Sequence, residues 1–144
     1  MHSVRQSQLV PYTCKQMYDL VNDIESYPLF LDWVCSSQVK RAGNNYMDAS
    51  IEIGLGGFTK TFTTYNRLID SSCIELELVS GPFKNFKGCW MFEPIDQDRC
   101  RVILEIDFEM SISPLSKVFG LMFKEVSLRQ LNAFFERAKS VYGK

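Results

Sequence analysis

The chain has 144 residues, 46% of them hydrophobic and 23% charged, and its net charge is −1. This length suits one domain over residues 1–144 with a core of its own. The near-neutral charge excludes a chain that binds nucleic acid through its overall charge.

The chain opens with a weakly alternating segment over residues 3–10, which predicts a strand. Thr13 and Gln16 have the spacing of a capping box, so a short helix follows them. Asp23 is expected to cap a second short helix over residues 25–31. After these two helices, the spacing of the apolar residues changes from a helical period to a period of two.

Between residues 34 and 110, apolar and polar side chains alternate with a period of two, and turn residues separate the alternating segments. This pattern predicts six further strands, over residues 34–41, 46–55, 58–69, 73–79, 83–92 and 99–110. The connections are short, and Gly56 and Gly57 are typical of a tight reversal. Short connections dictate antiparallel pairing.

Residues 113–142 have the pattern of one long helix. Ser113 suits its cap, Pro114 its first turn and Gly143 the left-handed residue that ends many helices. Its apolar residues span more than the roughly 100° stripe of a surface helix. One face carries Leu115, Phe119, Met122, Phe123, Val126 and Phe134, and an adjoining face carries Leu128, Leu131, Phe135, Ala138 and Tyr142. Charged residues interrupt the run, so we predict no transmembrane segment.

This order of elements predicts an α+β helix-grip fold: a curved, seven-stranded antiparallel sheet around a long C-terminal helix, with two short helices after strand 1. Curvature leaves space between sheet and helix, so we expect an apolar cavity there, or else a packed core. The predicted cavity-lining, ligand-binding residues are Phe30, Trp33, Ile51, Ile53, Phe62, Thr64, Leu76, Phe86, Trp90, Leu104, Phe108, Phe119, Met122, Phe123 and Val126. Asn66 and Gln130 are further polar candidates.

No catalytic or metal-binding set is apparent. The one histidine, His2, lies beside the chain start, and no HExxH, P-loop or GxGxxG motif occurs. The five cysteines lack CxxC spacing, and no signal peptide is evident, so we predict reduced thiols in a cytoplasm. Carboxylates remain an option for acid–base chemistry, but no spacing singles one out. We predict that the protein is not an enzyme.

The final segment is basic. Residues 113–144 carry six Lys and Arg against two Glu, a net charge of +4. This charge suits contact with anionic lipid or RNA phosphate, or it belongs to an ordinary solvated helix face.

Four stretches resemble, in order, the coenzyme Q-binding branch of the START-like superfamily, and more narrowly the bacterial ribosome-association toxins within it. They are LVPYTCKQMYDLVNDIESYPLFLDWV (9–34), KTFTTYN (60–66), GPFKNFKGCWMFEP (81–94) and FGLMFKEV (119–126). The chain departs from the family at Asp32, where Pro is frequent, and at Tyr65, where Arg is frequent.

The resemblance implies a helix-grip fold and two functions. Our leading hypothesis is non-catalytic binding of ubiquinone or another polyprenyl lipid in the cavity, which supports respiration. This implies no covalent cofactor and a bacterial cytoplasmic location with peripheral contact to the inner membrane. The alternative is binding of the large ribosomal subunit, which blocks subunit joining. A third hypothesis is aromatase or cyclase activity, which older names for this family imply.

Overall fold

The structure is a computed structural model that describes residues 1–143. Within these residues the elements are β1 (His2–Val10), α1 (Cys14–Asn22), a 3₁₀ helix (Ile24–Leu29), β2 (Val34–Ala42), β3 (Tyr46–Leu55), β4 (Phe58–Ile69), β5 (Cys73–Ser80), β6 (Phe83–Pro94), β7 (Cys100–Met110) and α2 (Pro114–Tyr142). Every predicted strand is present, with ends that differ from the prediction by at most two residues.

The strands form one antiparallel sheet in the order β1-β7-β6-β5-β4-β3-β2. The predicted helix-grip fold is confirmed. Since β1 and β2 lie at opposite edges, the chain between them must cross the sheet. The two short helices make that crossing, and α1 packs against β6, β7 and α2.

The hairpin between β3 and β4 follows from its two glycines. Leu55 pairs with Phe58, which leaves Gly56 and Gly57 as a two-residue turn. Their φ angles are 54° and 89°, which residues with a side chain rarely adopt. Two positive φ angles suit the right-handed twist of adjacent strands, so this turn sets the register of β3 on β4.

The two short helices confirm one predicted cap and correct the other. Thr13 and Gln16 form the expected reciprocal capping box at the start of α1. The predicted cap by Asp23 is wrong: its carboxylate accepts a 2.6 Å hydrogen bond from the Ser26 hydroxyl instead of binding a backbone N–H. The second helix is 3₁₀ and ends at Leu29, because Phe30 has the non-helical angles φ −142° and ψ −4°.

Helix α2 has the predicted bounds and caps. The Ser113 hydroxyl accepts a hydrogen bond from the Ser116 backbone N–H at 3.2 Å, and Gly143 has a φ of 86°. No helix within residues 1–143 has the length and apolarity needed to cross a membrane.

Two phenylalanines of α2 hold the helix on the sheet. Phe134 is fully buried, with its ring centroid 5.0 Å from those of Trp90 and Phe30. Phe123 lies 4.9 Å from Phe108 and 5.0 Å from Phe83. These aromatic contacts fix the helix at two points about 16 Å apart along its axis.

The sheet covers only part of the wide apolar surface that the sequence gives α2. Leu115 is 66% exposed and Leu128 is 44% exposed. They lie on the solvent side with Val118 and Leu121, because the sheet covers only the side that carries Phe119, Phe123 and Phe134. The surplus apolar surface of the helix therefore faces outward and does not widen the cavity.

We expect Phe134→Ala to lower the free energy of unfolding by about 3–5 kcal/mol, because it removes a buried ring and leaves a void between sheet and helix. Leu128→Ala, at a partly exposed position of the same helix, is the control and should cost less than about 1 kcal/mol. Urea unfolding followed by circular dichroism measures both. Equal losses in the two variants would contradict the anchoring role of Phe134.

A candidate cavity between the sheet and the long helix

A cavity of about 70 Å³ lies between the inner face of the sheet and α2, beneath the short helices. Its wall is mostly apolar and consists of Val21, Ile24, Tyr27, Leu31, Trp33, Val34, Ala49, Ile51, Ile53, Phe62, Thr64, Asn66, Ile74, Leu76, Phe86, Trp90, Leu104, Ile106, Phe123, Val126, Ser127 and Gln130. At the liquid's share of roughly 30 Å³ per water, this volume corresponds to about two water molecules.

The cavity exists because α2 carries smaller side chains between its two aromatic anchors. Phe123 and Phe134 reach the sheet, but the helix residues that face the cavity between them are Val126, Ser127 and Gln130. None of these fills the depth that a phenyl ring fills. The spacing of large and small residues along one helix face therefore places the cavity.

The structure brings most of the predicted lining residues together at this cavity. These are Trp33, Ile51, Ile53, Phe62, Thr64, Leu76, Phe86, Trp90, Leu104, Phe123 and Val126. Strand alternation identified them, since every second residue of β3 to β7 points to the inner face. That they bind a ligand stays a prediction.

Phe108 and Phe119 were predicted to line the cavity but lie outside it. Phe108 is fully buried and is covered by Phe123 at 4.9 Å. Phe119 stacks on the far side of Phe123 at 6.3 Å, one turn toward the helix start. The sequence pattern gave their face correctly, but Phe123 separates both rings from the space beyond it.

Phe30 and Met122 also lie away from the cavity, at its edges. Phe30 packs edge-on against Phe134 at 5.0 Å, and the Arg137 guanidinium lies over its ring. Met122 packs against the β3–β4 turn at Gly56. Both side chains are partly buried, and each serves a local contact outside the cavity wall.

The lining residues that the predicted set omits come largely from the crossing segment. Val21, Ile24, Tyr27 and Leu31 close the cavity from the side of the short helices. Their helical spacing marks them as inward-facing. Only the crossing of the chain over the sheet, which depends on the pairing of β1 with β7, shows that this inward face meets the cavity.

Four polar side chains reach the cavity wall. The Thr64 hydroxyl donates a 2.6 Å hydrogen bond to Asn66 Oδ1, and both residues are buried. This bond uses the amide oxygen of Asn66, so the Asn66 amide nitrogen is left as a donor. Ser127 is buried, and Gln130 is partly exposed. Such a cluster suits a ligand with a carbonyl oxygen and an apolar body.

Tyr27 is the one ionisable side chain among the lining residues that the structure describes. Its hydroxyl donates to the backbone carbonyl of Val21, and burial raises the pKa of the phenol. Tyr27 is therefore neutral near pH 7, and its proton is engaged by the carbonyl. Among the described lining residues, this arrangement offers no acid–base pair toward the cavity.

The chain resembles curated proteins over nearly its whole length. It is 41% identical to the ribosome association toxin RatA of Vibrio cholerae, over 99% of both chains. It is also 41% identical to the persistence and stress-resistance toxin PasT of Escherichia coli O6:H1, over 99% of this chain and 90% of PasT. A more distant relative is the mitochondrial coenzyme Q-binding protein COQ10 homolog B of Xenopus laevis, 24% identical over 96% of this chain and 59% of that protein.

Among solved structures, the Zhui aromatase/cyclase from Streptomyces sp. R1128 superposes with a TM-score of 0.84, covering 96% of this chain and 93% of that chain. At 16% identity this likeness shows the shared fold alone. The family described as polyketide cyclase / dehydrase and lipid transport matches residues 10–135. The chain therefore belongs to this START-like family.

Proposed function

We propose that the protein associates with the large ribosomal subunit and hinders subunit joining, without catalysing a reaction. The observation that carries this proposal is the 41% identity to a ribosome association toxin over 99% of both chains. The four stretches that suggested the family lie within that span. Because the match covers both chains almost completely, no part that the relative uses for ribosome association is missing from this chain by length.

The size of the cavity favours this function over our leading hypothesis from the sequence. Pockets that enclose drug-sized ligands measure about 300–1,000 Å³, whereas this one measures about 70 Å³. A polyprenyl tail therefore enters only after the short helices or α2 move outward. Subunit binding needs no such movement, because it uses the outer surface.

We expect the protein to co-sediment with purified large subunits in a sucrose gradient and to leave them as salt rises, since contacts to phosphate release counterions. A cytoplasmic location in a bacterium follows from the same proposal. The small subunit, sedimented in parallel, is the control. Absence of co-sedimentation even at low salt would contradict the proposed function.

A second candidate function is the binding of a quinone or another polyprenyl lipid, with peripheral contact to the inner membrane. The observation that favours it is the buried Thr64–Asn66 pair in a mostly apolar wall, which suits a carbonyl-bearing head group. The coenzyme Q-binding relative supports it further. The two functions use different parts of the molecule and are compatible.

We expect Ala49→Leu to fill the cavity, because the small side chain of Ala49 is buried in its wall. The added carbon atoms gain about 0.8 kcal/mol each on burial, which offsets the strain of fitting them. Binding to the large subunit should stay within twofold of wild type. Ala42→Leu, at an exposed position at the end of β2, is the matched control.

Organic extraction and mass spectrometry of the same proteins test the second candidate. It requires a quinone or lipid in the wild type and in Ala42→Leu, and its loss in Ala49→Leu. If wild-type protein yields no such molecule and does not bind added ubiquinone, the second candidate is wrong.

A further inference from the structure

We propose that Arg129 and Arg137 form a preorganised contact for the RNA backbone of the large subunit. This inference rests on the proposed function and assigns its binding surface. The two residues lie on one ridge of α2, two steps of four residues apart, with Ala133 between them. At 1.5 Å per residue they are separated by about 12 Å along the helix axis.

The guanidinium group of each of these arginines lies over an aromatic ring. The Arg129 guanidinium carbon lies 5.5 Å from the ring centroid of Trp33, and that of Arg137 lies 5.2 Å from Phe30. Attraction to the ring face restricts where a guanidinium lies and does not use its N–H donors in a hydrogen bond. A planar fork of this kind matches two oxygens of one phosphate.

The rings that seat the arginines are themselves fixed. Phe30 packs edge-on against Phe134 at 5.0 Å and against Tyr27 at 6.1 Å. Trp33 is partly buried and packs against the hydrophobic core. The guanidinium groups are thus positioned by the packed interior, so little side-chain freedom is left to lose when an anion binds.

These two arginines also differ from the others in charge pairing. Arg5, Arg41, Arg67, Arg99 and Arg101 each lie within 4.0 Å of a carboxylate. Arg129 and Arg137 take part in none of the ion pairs found within residues 1–143.

Their acidic neighbours on the helix do not neutralise them. Glu125, one turn before Arg129, forms no ion pair with it, and Glu136 pairs with Lys139 at 3.0 Å. The Nε atom of Arg137 is buried without a hydrogen-bond partner in the part of the chain that is described. Within residues 1–143, two positive charges therefore lie on one helix ridge without a carboxylate partner.

The phosphodiester backbone of RNA is the partner that this arrangement suits best. It offers repeated phosphates that two fixed guanidiniums can bind separately, without reading a base. A bilayer would favour the other end of α2, where Leu115, Val118 and Leu121 are exposed and Lys117 lies among them. Those side chains lie at least eight residues from Arg129, so the arginine ridge is a separate surface.

The test compares Arg129→Gln/Arg137→Gln with the control Arg67→Gln/Arg99→Gln, which removes the same charge from residues held in ion pairs. Binding of each protein to purified large subunits is measured at several KCl concentrations. We expect the first variant to bind at least tenfold more weakly and its log–log salt slope to fall by about 1.4–1.8, for two lost phosphate contacts. The control should stay within twofold of wild type.

Two further variants distinguish the effect of the planar guanidinium from the effects of charge and of altered folding. Arg129→Lys/Arg137→Lys keeps the charge but loses the planar fork, so its binding should be intermediate with a salt slope near that of wild type. The exposed Arg129 is also replaced alone by Gln, and thermal unfolding shows that each variant is folded. The single variant should show about half of the fall in salt slope that the double Gln variant shows.

Several outcomes would overturn the proposal. Equal weakening in the control variant would assign the effect to overall charge, and unchanged binding of the double Gln variant would remove the arginines from the contact. Vesicles of phosphatidylglycerol form a separate arm, and a loss of vesicle binding with subunit binding intact would make lipid the partner. In these cases the proposed function stands, whereas a wild type that never binds subunits overturns both.

Discussion

The contact between two phenylalanine side chains and the concave face of the sheet determines the rest of this structure. Phe123 and Phe134 hold α2 at two points, and the sheet curves around the segment between them. The side chains of α2 that face the sheet are smaller there, so a cavity of about 70 Å³ remains. The same anchoring leaves Leu115, Val118 and Leu121 of α2 exposed, and it leaves Arg129 and Arg137 over Trp33 and Phe30 beside the covered side. One interaction thus produces both an inner site and an outer surface.

Much of the fold follows from the sequence because its signals are local. Alternation of period two gives the strands, Gly56 and Gly57 give a turn that needs positive φ, and Ser113 with Pro114 gives the start of α2. The 3₁₀ helix was harder to predict. It ends just before Phe30, whose backbone is non-helical and whose ring packs against Phe134, a contact between residues far apart in the sequence.

The candidate site was less predictable than the fold, for a physical reason. Periodicity gives the face on which a side chain lies, but not its distance from the helix that covers that face. Phe108 and Leu104 both point inward from β7, yet Phe123 covers Phe108 while Leu104 reaches the cavity. Helical spacing likewise shows how wide the apolar surface of α2 is. It does not show that Leu115 and Leu121 face solvent.

The small cavity and the arginine ridge of α2 lie close together in the molecule. Phe30 connects the two, because its ring packs on Phe134 and carries the guanidinium of Arg137. An electron cryomicroscopy map of the protein on the large subunit tests this most directly. The account predicts the ridge of Arg129 and Arg137 against RNA phosphates, with the cavity still closed. A map with the outer face of the sheet on the subunit, or with a lipid in an opened cavity, would contradict it.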